Sequence, residues 1–336
     1  MADLQVISEI SCRRENMREK IVINFFDDPR EKSIESMAAY FQLDKNLLSK
    51  YIEDFEKNGI AVKDFVSAFG INLSQYDSSL IEIICRHMTS MTEEGIEDIR
   101  TKGLLDLTHL LMKDTVLSRF LKRNNVIFDV KNRELFVDGQ AYRITTAEED
   151  CLICVEKKEI RCGRFERCDI REKMDSVGHK IYQLGGTLEF FVSGSKADME
   201  HYSVIHLNPE ILENLDQLLA EIKVRSNRDE PFALSYKWRE QERKTYILQF
   251  AVNLSDVEGL CVCDYNNAYY EFQELLDIGG YSQNDYIMGL IPDRFYQNMR
   301  LIEWFLGTDY GYQFGSLLRG KTVPAEKIQV KDAYVK

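Results

Sequence analysis

An α+β fold is predicted for this 336-residue chain by three observations. Short β-branched and aromatic runs recur, stretches with apolar residues at helical spacing lie between them, and the two do not alternate regularly enough for a βαβ array. From residue 15 to about 70 the pattern is helical, with breaks at 27–30 and 42–44. A strand begins near Leu80, in SLIEIICRH. A helical stretch then runs to Asn125, followed by short strands over 126–130, 134–137 and 140–144. Asp138-Gly139, between the last two, is a strong hairpin signal. Residues 188–192 and 202–207 read as strands. Pro209 opens a helix carrying Ile211, Leu212, Leu215, Leu218, Leu219 and Ile222 at helical spacing. Residues 232–238 and 246–253 suggest another hairpin, and 286–290 a late strand. The helix after that strand carries Phe295, Met299, Ile302 and Leu306 on one face. These pattern changes place a small helical module over 1–75 and an α+β domain over 76–336, with a cysteine-rich insertion near 151–168.

The formal net charge of −13 argues against a protein that coats nucleic acid through a global basic surface, and leaves a local basic face open. The first twenty residues contain no apolar run of signal-peptide length, and the longest apolar stretches, near 81–85 and 246–252, are far short of a membrane span. A cytoplasmic protein without a membrane partner is therefore expected. Cysteines in that setting read as reduced thiols or metal ligands. Cys151, Cys154, Cys162 and Cys168 form C-x2-C-x7-C-x5-C, four thiols with which a structural zinc could be held tetrahedrally. Gly163 after a ligand favours the metal, whereas the apolar CLIC pair favours core or surface thiols.

Residues 33–55 read SIESMAAYFQLDKNLLSKYIEDF, two helices around a tight turn with Asp44 capping the second. The spacing is similar to a helix-turn-helix, with Ala38 at the crossing, Leu43 after the turn, and Leu48 and Ile52 facing inward. GIAV beyond it could begin a wing. Gln42 stands where such motifs usually have a glycine able to adopt positive φ. Lys45, Asn46, Ser49, Lys50 and Glu53 would form the face available to DNA, and an ordinary helical hairpin fits the same residues.

Residues 80–107 read LIEIICRHMTSMTEEGIEDIRTKGLLDL. An apolar strand runs into His87, Ser90 and Glu93 have capping-box spacing, Ile96 and Ile99 give the next helix an inner face, and Gly103 can end it. His87, Thr89 and Ser90 are thus expected beside a donor-rich helix N-terminus, a place suited to an anionic or ribose-bearing ligand. A strand–loop–helix with a satisfied polar histidine fits equally well.

The His87-Met88-Thr89 strand end and the Ile96-x-x-Ile99-x-x-x-Gly103-Leu104 helix resemble the His-type members of the ADP-ribosyltransferase superfamily, whose domain is a split mixed β-sheet. Downstream, GGYSQNDYIMGLIP places Gln283-x-Asp285 before an apolar run ending in Ile-Pro, similar to that superfamily's Q-x-E strand start, with Asp one methylene shorter than the usual Glu. The resemblance implies that His87 binds the ribose of NAD, with Thr89 or Ser90 supporting the loop. It implies that Asp285 stabilises positive charge as the glycosidic bond breaks, with Gln283 beside it. It also implies a tyrosine stacked on nicotinamide, for which Tyr182, Tyr202 and Tyr246 are candidates and Tyr202 is preferred. The expected activity is NAD-dependent ADP-ribosyl transfer to a protein or nucleic-acid acceptor, in the manner of toxins, mobile-element proteins or phage-defence factors. The alternative is a non-catalytic helix-turn-helix regulator or interaction scaffold.

Overall fold

The structure is a computed structural model that describes residues 20–55, 62–144, 169–184, 186–202, 208–226, 233–258, 276, 278–282, 284–285, 288–307 and 312–334. It opens with a strand where a helix was expected. β1 (Ile21–Ile23) lies parallel to the start of β2 (Ile81–Met91), with Ile21 opposite Ile81 and Ile23 opposite Ile83. A β-branched run favours extension, and its partner lies too far along the chain for local periodicity to reveal.

Pro29 starts α1 (Arg30–Phe41), and a tight turn leads to α2 (Lys45–Phe55). Gln42 takes the left-handed conformation, φ 56° and ψ 41°, and donates its N–H to the Ala38 carbonyl. Leu43 N–H donates to the same carbonyl at 2.8 Å. Asp44 accepts from Leu47 N–H at 2.8 Å, the expected cap. Ala38, Leu48 and Ile52 are buried, as the spacing requires. Gly59, Ile60 and Ala61 of the expected wing lie outside the described residues. Val62 opens α3 (Val62–Phe69), whose Phe65 and Phe69 pack edge-on against Tyr51. On the face expected to meet DNA, Lys45 is paired with Glu35.

The chain forms two units that are discontinuous in sequence. One takes in Met1–Cys85, Phe191–Ser195 and Ala251–Ser316, the other Arg86–Phe190, Lys196–Phe250 and Leu317–Lys336. β2, β6 (Glu189–Ser193) and β7 (Lys244–Asn253) contribute to both, in the strand order β8–β6–β2–β7–β9 with β8 (Gln313–Ser316) and β9 (Gln329–Tyr334). β7 and β9 are antiparallel, so the sheet is mixed and the class is α+β.

In the second unit α4 (Glu93–Lys102), α5 (Leu107–Met112) and α6 (Val116–Arg123) follow β2. A small antiparallel sheet comes next: β3 (Val126–Asp129), β4 (Glu134–Val137) and β5 (Gln140–Arg143). Asp138 and Gly139 both have positive φ, the tight turn that the Asp-Gly pair predicts. α7 (Asp169–His179), α8 (Lys196–Tyr202), α9 (Glu210–Ser226) and α10 (Leu234–Arg239) complete its helices. The apolar side chains predicted for the helix after Pro209 are all buried in one cluster with Phe120, Leu135 and Trp238.

In the first unit α11 (Asp293–Gly307) buries Phe295, Met299, Ile302 and Leu306, the predicted face. Two buried amides on the same helix are satisfied. Gln297 accepts from Ser78 Oγ at 2.6 Å and donates to the Ser255 carbonyl, while Asn298 accepts from Tyr40 at 2.7 Å and donates to the Leu73 carbonyl. No helix among the described residues is long and apolar enough to cross a membrane. Because Gln42 bears the cost of a left-handed residue with a side chain, Gln42→Gly should raise unfolding free energy by about 0.5–1 kcal/mol in urea denaturation, whereas Gln42→Val should lower it.

Candidate functional site

In the first half of β2 the odd-numbered residues Ile81, Ile83 and Cys85 are fully buried; the alternation then breaks, with Met88 buried and His87, Thr89, Ser90 and Met91 partly exposed. His87, Thr89, Ser90 and Met91 line a cavity of about 290 Å³ formed within the second unit. This volume lies at the lower edge of the roughly 300–1,000 Å³ typical of small-molecule pockets. It has room for a base and its ribose rather than a whole dinucleotide.

His87 is the oriented group of this cavity. Its Nδ1 lies 2.9 Å from the Glu189 carbonyl oxygen. A carbonyl only accepts, so Nδ1 carries the hydrogen and donates, and in the neutral ring Nε2 keeps its lone pair. Burial lowers the imidazole pKa below its ordinary 6.5, and the Glu189 bond opposes that shift in part. The ring is therefore neutral at pH 7 and presents Nε2 as an acceptor.

The helix after the strand forms where expected, with a different cap. Thr92, not Ser90, is the capping residue, and its hydroxyl accepts from Gly95 N–H at 3.2 Å. Ser90 and Thr89 belong to β2 itself. With Thr92 occupying a donor and Glu93 and Glu94 placing negative charge in the first turn, this N-terminus does not favour an anion, contrary to the sequence expectation. What α4 offers the cavity is one face, Gly95, Asp98, Ile99 and Lys102, at three- and four-residue spacing. A side chain at Gly95 would put Cβ 2.9 Å from Met91 Cβ, so glycine lets the helix close on the strand end. Gly103 ends the helix with φ +83°, and a Cβ there would lie 2.2 Å from the Val323 carbonyl oxygen. Asp98 accepts from Val116 N–H at 2.6 Å and from Arg119 at 2.9 Å, tying α4 to α6.

The far wall was missed in the sequence. Residues 232–238 alternate like a strand, yet Leu234–Arg239 is α10. Leu234 (0 % exposed) and Trp238 (3 %) are buried four residues apart while Tyr236 (63 %) faces out, which is helical and not strand geometry. The cause is a distant cap: Asp216 of α9 accepts from Leu234 N–H at 2.6 Å, and from Ser235 N–H at 2.9 Å. Trp238 thereby becomes a cavity wall.

The other expected site residues fall elsewhere. Asp285, predicted to open a strand, sits in a helical turn of the first unit. Ser282 and Asp285 cap each other: Asp285 N–H donates to Ser282 Oγ at 3.2 Å, and the Asp285 carboxylate accepts from Ser282 N–H at 2.7 Å. This is a Ser-x-x-acidic capping box, readable in SQND. Met288 and Leu290 beyond it are exposed, unlike a core strand. The Ser282 hydroxyl, which donates to the same carboxylate at 2.6 Å, and the Ser282 N–H hold the Asp285 pKa below the usual carboxylate value. Gln283 lies outside the described residues, as do Cys151, Cys154, Cys162 and Cys168, so the zinc expectation rests on sequence alone. Tyr202 ends α8 rather than opening a strand. Tyr182 donates to the Val130 carbonyl at 3.0 Å beneath Arg133, and Tyr246 is buried on β7. Among the described residues lining the cavity, the aromatic one is Trp238.

No protein-family model, curated protein or solved structure matches this chain. The Asp216 cap is testable by itself. Asp216→Ala leaves two backbone donors of α10 without their acceptor and should lower unfolding free energy by about 1–3 kcal/mol in urea, with a smaller loss for Asp216→Asn.

Proposed function

We propose that this protein binds NAD through the His87 cavity and transfers ADP-ribose to a protein or nucleic-acid acceptor. The observation that carries the reading is the His87–Glu189 hydrogen bond, which leaves Nε2 as an acceptor for a ribose hydroxyl beside Thr89 and Ser90. The strand-to-helix path from His87 through Gly103 adds support, because it follows the order that the resemblance to ADP-ribosyltransferases implies.

In this transfer the bond between ribose and nicotinamide breaks, and nicotinamide leaves with the electron pair. The acceptor's nucleophile forms the new bond to the ribose carbon and releases a proton. Positive charge develops on the ribose as the old bond breaks, so a carboxylate is needed. In the resemblance to ADP-ribosyltransferases that work is Asp285's, a residue of the first unit that is not among those lining the His87 cavity.

Saturating NAD should raise the melting temperature of the wild-type protein, and His87→Ala should abolish that shift while keeping the circular dichroism of the fold. No shift in the wild type rejects the proposal.

A pH dependence follows from the lowered His87 pKa. An unfolded His87 takes up its proton near 6.5, and the folded one only at lower pH. The histidine's contribution to stability is thus complete above 6.5 and is lost as pH falls through the folded value. NAD affinity should fall over the same interval, since a proton on Nε2 removes the acceptor, and titrations at descending pH will show whether it does.

A further inference from the structure

We infer that Lys180 is the phosphate-binding residue of the cavity, its ammonium pairing with the phosphate carried by the ribose that His87 holds. The inference rests on the proposed NAD reading of this cavity and adds to it the group that makes the site prefer a nucleotide to a nucleoside.

The charged side chains of the wall narrow the choice. Asp98, Lys102, Asp106, Lys180 and Glu189 line the cavity with His87, and no arginine stands among the described residues that do. The three carboxylates repel a phosphate. Asp98 is moreover tied to Arg119 and to Val116 N–H, and Asp106 accepts from His109 N–H at 2.8 Å and stands 2.7 Å from His109 Nδ1. Lys102 has the right charge but donates to the Asp98 carboxylate and the Asp114 carbonyl. The start of α4 is closed to an anion by its own cap and glutamates. A phosphate beside walls as apolar as Leu110, Leu117 and Pro209 still requires a cation. Lys180 has that charge, and its side chain is half-buried at the wall rather than enclosed.

Its place in the chain is fixed by its neighbours. Lys180 opens the π-helical turn Lys180–Leu184 that follows α7 directly. Wide turns of this kind recur at functional sites. Ile181 is fully buried and its carbonyl accepts from Thr108 Oγ at 3.1 Å, while Tyr182 is held by the Val130 carbonyl. The backbone at Lys180 is thereby fastened to the cavity wall, and a long unbranched stem carries the ammonium from it. A cavity with room for a base and its ribose is small enough for that stem to meet a phosphate joined to a ribose at His87. Both halves of NAD carry such a phosphate, so the phosphoester is the shared feature.

The test is calorimetric titration of the full chain with AMP and adenosine, which differ by the phosphate alone, and with nicotinamide mononucleotide and nicotinamide riboside as the same comparison for the other half of NAD. In the pair that binds, the nucleotide should bind the wild type about tenfold more tightly than the nucleoside at low salt, and rising salt should narrow the gap. Lys180→Gln should reduce the gap to about twofold or less and weaken NAD in proportion. Its nucleoside affinity should stay in place, which also shows that the variant is folded, and Lys180→Arg should keep most of the gap. Lys180→Met, which keeps the stem without the charge, serves if Lys180→Gln does not fold. If NAD binds the wild type but neither pair shows a gap, or the gap survives the loss of the charge, the inference is overturned while the NAD reading stands. If a pair shows a gap that depends on Lys180 and NAD does not bind, the phosphate contact stands and the NAD reading fails. If none of these ligands binds the wild type, both fail.

Discussion

The hydrogen bond from His87 to the Glu189 carbonyl is the constraint on which the chemistry of the cavity depends. A histidine within a strand can present either nitrogen, in either protonation state. Here the backbone oxygen takes the Nδ1 hydrogen, and partial burial disfavours a second proton. One acceptor lone pair, fixed in direction, remains. A flexible or protonated imidazole would offer an anion a partner. This one offers a hydroxyl a partner, and the proposed contact with a ribose rests on that difference.

The elements around that ring are positioned by small local requirements rather than by one large core. Gly95 lets α4 approach the end of β2, and Gly103 lets the chain leave the helix against the Val323 carbonyl. Asp98 joins α4 to α6, and Asp216 holds α10 so that Trp238 closes the far wall. The cost of Thr92, Glu93 and Glu94 at the start of α4 is the loss of an anion site at that helix end. Under the proposed function the phosphates of NAD would lie away from that helix end, in keeping with a cavity sized for one nucleoside half.

Legibility followed the range of the interactions. The β3–β4–β5 hairpins, the α1–α2 turn, the buried face of α9 and the helix after His87 rest on neighbours a few residues apart, so periodicity and turn chemistry exposed them. β1 rests on pairing with β2, and α10 rests on a carboxylate eighteen residues upstream, which local patterns do not record. Residues 232–238 were misread because Leu234, Tyr236 and Trp238 alternate as strand residues do, and only burial separates the two periods. The stretch at Asp285 is different. Its Ser-x-x-Asp box is a local helix-start signal on the same residues that the Gln283-x-Asp285 spacing offers as a strand start. His87 was legible as a polar tip on an apolar strand, whereas its tautomer was not, because the partner is a backbone atom of β6.

If NAD binds as proposed, His87 Nε2 accepts a hydrogen bond from its ribose. Long-range ¹H–¹⁵N spectra of the imidazole rings, with His87→Ala to assign the signals, measure this directly. The claim predicts a neutral ring protonated at Nδ1 at pH 7, with the Nε2 signal moving upfield as NAD is added. A ring protonated at Nε2, or an Nε2 signal that saturating NAD leaves unchanged, would contradict it.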